Sequence, residues 1–181
     1  MSIRYAILGL LSWQSFSGYD LKKRFADSAL LYWSGNNNQI YRSLIQLDNE
    51  GLVTSEIQIQ ESLPAKKNYS ITEKGLAALK EWVLSEPELP EFHNTFLIQL
   101  AWAQQLDDQA LDDLLQRYEK VVEIELLMQK EKLQRGLEVP ERNEREAYIW
   151  QMLFENIVST YVNELSWVRR LRDGLKERVS R

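Results

Sequence analysis

The sequence predicts a mainly α-helical chain with one small β-ribbon, and three observations carry that expectation. Apolar residues recur at steps of three and four through most of the 181 residues, period two is confined to one stretch between residues 52 and 72, and prolines and glycines punctuate the changes of pattern. Cysteine is absent and histidine occurs once, which removes disulfide scaffolds, cysteine-based zinc sites and thiol nucleophiles and leaves any catalytic triad dependent on His93. With no assembled acid–base site, the chain is not expected to be an enzyme or to carry a cofactor or metal. The apolar run ending at Leu11 is short and lacks a small-residue cleavage site, and no stretch approaches the roughly 18 apolar residues of a membrane span. The expected compartment is the cytoplasm, with no membrane partner.

The elements follow in order. A short apolar helix covers residues 3–13. Ser17 stands three residues before Asp20, the spacing of a capping box, and Leu21 and Phe25 continue a second short helix. After turn residues at 35–38, Ile40, Leu44 and Leu47 repeat at i, i+4 and i+7 and predict a third helix over about 37–50, closed by Gly51. Its other face carries Gln39, Arg42, Ser43 and Gln46. Residues 52–60 and 67–72 alternate with period two around a Pro64-containing loop, giving two strands with Lys66 and Lys67 at the tip. Thr72 caps a fourth helix to about Ser85, with Leu76, Leu79, Trp82 and Val83 facing inward.

Three helices followed by a two-stranded ribbon with a basic tip is the order of a winged helix-turn-helix. Pro87 and Pro90, in an acidic stretch, put a boundary near residue 86. The expected organisation is a winged helix-turn-helix domain over 1–85 and an α-helical dimerisation and effector domain over 86–181. The formal charge of −5 is an average of unlike halves, +1 for 1–85 and −6 for 86–181, so it does not exclude nucleic acid. Asn37, Asn38 and Gln39 on the third helix can pair bidentately with adenine, and Arg42 can reach guanine or phosphate. Lys66 and Lys67 supply the electrostatic part at the ribbon, while Lys22, Lys23 and Arg24 lie on the helix that would cross the phosphates. Tyr41 is read as a phosphate contact, and Tyr69 and Trp33 as core. On pattern alone the same surface also fits a winged-helix module that binds a protein instead of DNA.

In the second half, Phe92, Phe96, Leu97, Leu100 and Ala101 predict a helix over 91–105, and Leu111, Leu114, Leu115, Tyr118, Val121 and Val122 another from about 106 to 134, ending near Gly136. The last helix, about 142–178, carries Ala147, Trp150, Phe154, Ile157, Tyr161, Val168, Leu171 and Leu175 in alternating steps, with Glu164 as the only polar member of the seam. A second stripe runs through Leu153, Val158, Val162 and Leu165. Two apolar faces need two partners: the 106–134 helix for one, and a second copy of the chain for the other, the alternative being a closed monomeric bundle. The dimerisation candidates are Trp150, Phe154, Ile157, Tyr161, Val168, Leu171 and Leu175. The aromatics of this half are either packed core or the lining of a pocket for a small aromatic effector. Arg169, Arg170 and Arg172 are assigned to the negative end of the last helix.

Several motifs in one order extend this reading. Ile7-Leu8-Gly9-Leu10-Leu11, Ser17-Gly18-Tyr19-Asp20-Leu21, Gln39-Ile40-Tyr41-Arg42-Ser43-Leu44, Glu50-Gly51-Leu52-Val53 and Tyr69-Ser70-Ile71-Thr72-Glu73-Lys74-Gly75 together resemble the PadR family of transcriptional regulators, and the helical tail resembles its long-tailed branch. The resemblance covers residues 3–82. It implies a homodimer that binds a pseudo-palindromic double-stranded DNA operator and regulates transcription, and the residues do not specify repression or activation. It also implies that Gln39, Tyr41 and Arg42 lie on the DNA-facing helix and Lys66 and Lys67 on the wing. Two departures bear on base preference: Asn38 stands where many members carry Gly, and the tip has Lys in place of the common Arg.

Overall fold

The computed structural model describes residues 3–28, 37–58, 66–89, 94–135 and 139–179. The expectations for Trp33, the 63–65 tip, Phe92, His93 and Gly136 fall outside these residues. The chain divides into two compact units, Met1–Glu88 and Leu89–Arg181.

The first unit contains α1 (Ile3–Leu11), β1 (Phe16–Ser17), α2 (Gly18–Asp27), α3 (Asn37–Asn49), β2 (Val53–Gln58), β3 (Lys66–Ile71) and α4 (Glu73–Val83). Its core is one cluster: Ile7, Leu8 and Leu11 from α1, Leu21 and Phe25 from α2, Ile40, Leu44 and Leu47 from α3, and Phe16, Leu52, Val53 and Tyr69 around the sheet. Each such side chain contributes about 1.5–3 kcal/mol of burial, which is why three short helices hold together here. The expected capping box is present: the Asp20 amide donates to Ser17 Oγ at 3.2 Å, and the Ser17 amide donates to Asp20 Oδ2 at 3.1 Å. Gly51, at φ 69°, ends α3 in the left-handed conformation that an L side chain rarely adopts.

The sheet has three antiparallel strands in the order β1-β3-β2. The third strand went unread because two residues, Phe16 and Ser17, are too few to show a period; they pair with Tyr69 and Asn68. Between β2 and β3 the register runs from Val53↔Ile71 to Gln58↔Lys66, so Lys66 and Lys67 sit on the last described rungs of the ribbon. Thr72 Oγ1 accepts from the Gly75 amide at 3.0 Å and donates to the Gly51 carbonyl at 2.8 Å, tying the start of α4 to the end of α3.

The inward face of α4 differs from expectation. Leu76 and Val83 are exposed, while Ala78 and Leu79 pack on the core and Trp82 stacks on Tyr5 with ring centroids 4.7 Å apart. The helix is rotated by its tightest contact: a Cβ built on Gly75 would lie 2.1 Å from the Leu52 carbonyl oxygen. The smallest residue faces the backbone, which turns Leu76, next in sequence, away.

The second unit contains α5 (Thr95–Ala101), a 3-10 turn (Ala103–Gln105), α6 (Asp108–Arg135) and α7 (Glu144–Val179). The expected 91–105 helix breaks at Trp102, and Asn94 Oδ1 caps its described start by accepting from the Phe96 and Leu97 amides. Helices α6 and α7 pack antiparallel around Leu115, Val122, Leu126, Leu165 and Val168, with Phe96 of α5 in the same cluster. Polar groups set the register. Arg172 pairs with Asp112 at 3.0 Å and with Glu119 at 2.6 Å, and Arg169 pairs with Glu119 at 2.7 Å and Glu123 at 3.0 Å. These are cross-helix ion pairs where the sequence suggested a helix-end role. Glu164, the polar member of the seam, accepts a 2.5 Å hydrogen bond from the Tyr118 hydroxyl, whose ring stacks on Phe96.

The Arg172 hydrogen bonds hold the Asp112 carboxyl below its ordinary range, and those from Arg169 and Arg172 do the same for Glu119. Burial, reinforced by the Glu164 bond, pushes the Tyr118 hydroxyl up to about 12. The carboxylates therefore stabilise the fold fully above about pH 5 and less as pH falls through their folded values; Tyr118 does so below about pH 10 and less on the alkaline side. Urea midpoints followed by helical circular dichroism are expected to fall in both windows, and Arg172→Met to flatten the acid branch. In the first unit, Gly75→Ala is expected to destabilise by about 1–3 kcal/mol despite its better helix propensity, a loss read from urea unfolding.

Candidate nucleic-acid interface

Helix α3 is held along one edge. Ile40, Leu44 and Leu47 are buried in the core, and Ser43, at 8% exposure, lies in the same arc. Sequence spacing assigned Ser43 to the outer face; at i+3 from Ile40 and i−4 from Leu47 it belongs to the inner one. Fixing this edge fixes the rotation of the helix and turns Asn38, Gln39, Tyr41, Arg42, Ile45 and Gln46 outward. Asn37 is the first residue of the helix. Tyr41 is 44% exposed, and its ring lies over Gly18 at the start of α2, so it joins the two helices while keeping an accessible edge.

On α2, Lys23 is exposed and Lys22 half-buried. Arg24 is drawn elsewhere: its guanidinium carbon lies 4.7 Å from the Trp13 ring centroid and 4.8 Å from that of Phe16. These cation–π contacts take it out of the set expected to cross phosphates. Tyr69 is buried at 6% exposure, as core.

The two ribbon lysines are each opposed by a carboxylate. Lys66 Nζ lies 2.9 Å from Asp20 Oδ2, and Lys67 Nζ lies 3.6 Å from Asp48 Oδ2 and 5.2 Å from the Tyr69 ring centroid. Asp48 is itself oriented by Ser55 of β2, whose hydroxyl donates to the same Oδ2 at 3.0 Å. Burial raises the Asp20 carboxyl, but hydrogen bonds from Lys66 and from the Ser17 hydroxyl and amide outweigh it and hold the group below its ordinary range. Sequence reasoning missed both partners. Asp20 was legible only as a cap, and the pairing of Lys67 with Asp48 needs the packing of α3 against the ribbon, which no local spacing encodes.

The seven residues expected at the dimer seam separate into two groups. Val168 is fully buried, and Tyr161, Leu171 and Leu175 pack on the same cluster within the chain. Trp150, Phe154 and Ile157, on the first half of α7, are half-buried, with the Trp150 and Phe154 rings stacked at 6.2 Å. Where the end of α6 meets the start of α7, a cavity of about 460 Å³ is lined by Leu133, Val139, Ala147, Tyr148, Trp150 and Phe154, together with Glu141, Glu144 and Gln151. Among the described residues no group of three His, Cys, Asp or Glu is arranged to hold a metal ion, and no helix is long and apolar enough to cross a membrane.

A helix anchored along one edge with a polar outer face, beside a β-ribbon and followed by a unit of long helices, defines a winged helix-turn-helix protein with a helical tail. Residues 7–81 match the model of the transcriptional regulator PadR-like family. The chain is 34% identical over 113 residues to the negative transcriptional regulator PadR of Bacillus subtilis, an overlap that spans 62% of this chain and 62% of that relative. The crystal structure of Bacillus subtilis PadR in complex with operator DNA superposes with a TM-score of 0.81 at 25% identity, covering 94% of this chain and 96% of the other. The same relative in complex with p-coumaric acid gives 0.74 at 22% identity, covering 96% and 95%. The Vibrio cholerae virulence activator AphA shares the fold, with a TM-score of 0.70 at 22% identity over 97% and 99% of the two chains. The match to the PadR-like family model thus covers residues 7–81 of the 181, and the overlap with the Bacillus subtilis relative spans less than two thirds of either protein.

Proposed function

We propose that the protein is a homodimeric transcriptional regulator that binds a pseudo-palindromic DNA operator through α3 and the β2–β3 ribbon, without catalytic activity. The single observation that carries this reading is the outward face of α3, where Asn38, Gln39, Tyr41 and Arg42 stand on a helix whose opposite edge is locked in the core. Amide side chains match the donor and acceptor pair of adenine in the major groove, and Arg42 matches guanine or phosphate. Lys22, Lys23, Lys66 and Lys67 add the cations that hold a phosphate backbone. The solved complex of Bacillus subtilis PadR with operator DNA supports the same use of the fold. Action on an operator puts the protein in the cytoplasm with the DNA.

The second unit serves as the dimer arm. Its support is apolar surface that the chain itself leaves open: Ile157, Trp150 and Phe154 are only half-buried, and Ile149, Met152 and Val162 on the same helix are exposed. A second copy is the self-complementary cover for such a face, and two α3 helices on a two-fold axis would read two half-sites. The candidate place for a small aromatic effector, the class of ligand in the p-coumaric acid complex of Bacillus subtilis PadR, is the open cavity beside Trp150. Its Glu141 and Glu144 carboxylates favour a neutral or cationic ring over an anionic one.

Two experiments test the reading. In gel shifts on DNA from the promoter of its own gene, Arg42→Ala and the pair Lys66→Ala/Lys67→Ala are each expected to weaken binding by about tenfold or more, with a shallower salt dependence for the lysine pair. Unchanged binding in both would remove α3 and the ribbon from the interface. In sedimentation equilibrium the chain is expected at twice its own mass, and Ile157→Glu at the mass of the monomer.

A further inference from the structure

The ribbon lysines are not presented as bare cations. Lys66 and Lys67 are consecutive in β3, so their side chains leave opposite faces of the strand, and yet each ends at a carboxylate on a different helix: Asp20 on α2 and Asp48 on α3. Neither carboxylate is there by chance of a floppy surface. Asp20 is locked by the capping box, with the Ser17 amide and hydroxyl both donating to Oδ2 at 3.1 and 2.8 Å. Asp48 is held by the Ser55 hydroxyl at 3.0 Å. Each pair is half-exposed, with side-chain exposures of 38% and 35% for Lys66 and Asp20 and 48% and 32% for Lys67 and Asp48. Pairs at this exposure are weak, so a dense line of phosphates can compete for the lysine, whereas an isolated anion in salt cannot.

We propose that Asp20 and Asp48 set the DNA affinity of the wing: each carboxylate holds a ribbon lysine in the free protein and yields it to a phosphate when DNA is seated. The inference rests on the reading of α3 and the ribbon as a DNA-binding surface. Its consequence is selectivity. A wing neutralised by its own acids contributes little to a chance encounter with DNA, and the exchange goes forward only where α3 has placed the backbone beside the ribbon. The two acids also add repulsion against phosphate, so the non-specific part of binding, which is electrostatic and sequence-independent, is the part they suppress most.

The test is fluorescence anisotropy of a labelled mixed-sequence DNA duplex titrated at low salt with the full-length protein, its Asp48→Asn and Lys67→Ala variants and the double variant. The Asn side chain keeps an acceptor for Ser55 and removes only the charge. Asp48→Asn is expected to bind about threefold tighter than the wild type, and the same substitution in the Lys67→Ala background is expected to change affinity by less than about half that factor. Asp20→Asn against Lys66→Ala repeats the cycle at the other pair and answers for Asp48→Asn if that variant does not fold. A purely structural role for the acids would lower the melting temperature and leave affinity the same or weaker. Binding of the Asn variants no tighter than wild type, or a gain undiminished when the lysine is gone, overturns the inference while DNA binding by the chain stands. Absence of binding by the wild type at every salt concentration overturns the underlying reading and this inference with it.

Discussion

The first unit depends on the burial of one edge of α3. Ile40, Leu44 and Leu47 share a cluster with residues from α1, α2 and the sheet, and that shared packing decides which way the opposite side of α3 faces. A helix with a single apolar edge has only one rotation that buries it, so the outward set of Asn38, Gln39, Tyr41 and Arg42 is a consequence of the core. Gly51 and Gly75 extend the constraint. The left-handed turn at Gly51 returns the chain into β2, and the approach of Gly75 to the Leu52 carbonyl closes α4 over the same junction. The orientation of the ribbon relative to α3 follows from these contacts, and with it the meeting of Lys67 and Asp48.

Charge is arranged differently in the two units, and the difference bears on function. In the second unit Arg169 and Arg172 are absorbed by Asp112, Glu119 and Glu123, so the basic residues near the end of α7 serve the packing of α6 on α7. In the first unit two half-exposed pairs involve the very lysines that a phosphate backbone would attract. A whole-chain charge of −5 therefore says little about nucleic acid, since affinity is decided by which cations are held tightly and which can be released.

Most of the fold was legible in the sequence because it is written in local terms. The Ser17–Asp20 box, the Ile40, Leu44 and Leu47 repeat, the period-two stretch and the Thr72 cap each concern residues a few positions apart, and each element appears where its signal lies. What was misread needs contacts between distant residues. Leu76 looked inward by periodicity, and the approach of Gly75 to Leu52 turns it outward. β1 exists only because Phe16 and Ser17 meet Tyr69 and Asn68 across more than fifty residues of chain. At the candidate site, the polar face of α3 could be read from spacing alone. Arg24 over Trp13 and Phe16, and the acids opposite Lys66 and Lys67, could not. Likewise the seam on α7 was visible as a stripe, but which part of it the chain fills for itself depended on how far α6 runs alongside.

On the proposed reading, α3 and the ribbon together form the surface that meets DNA. Chemical-shift mapping of backbone amides during titration with a DNA duplex tests it most directly, because every part of the chain reports at once. The largest shifts are expected at Asn38, Gln39, Tyr41, Arg42, Lys66 and Lys67, with smaller ones at Lys22 and Lys23. Shifts concentrated on the exposed face of α4 around Leu76 and Val83, with α3 and the ribbon unmoved, would contradict it.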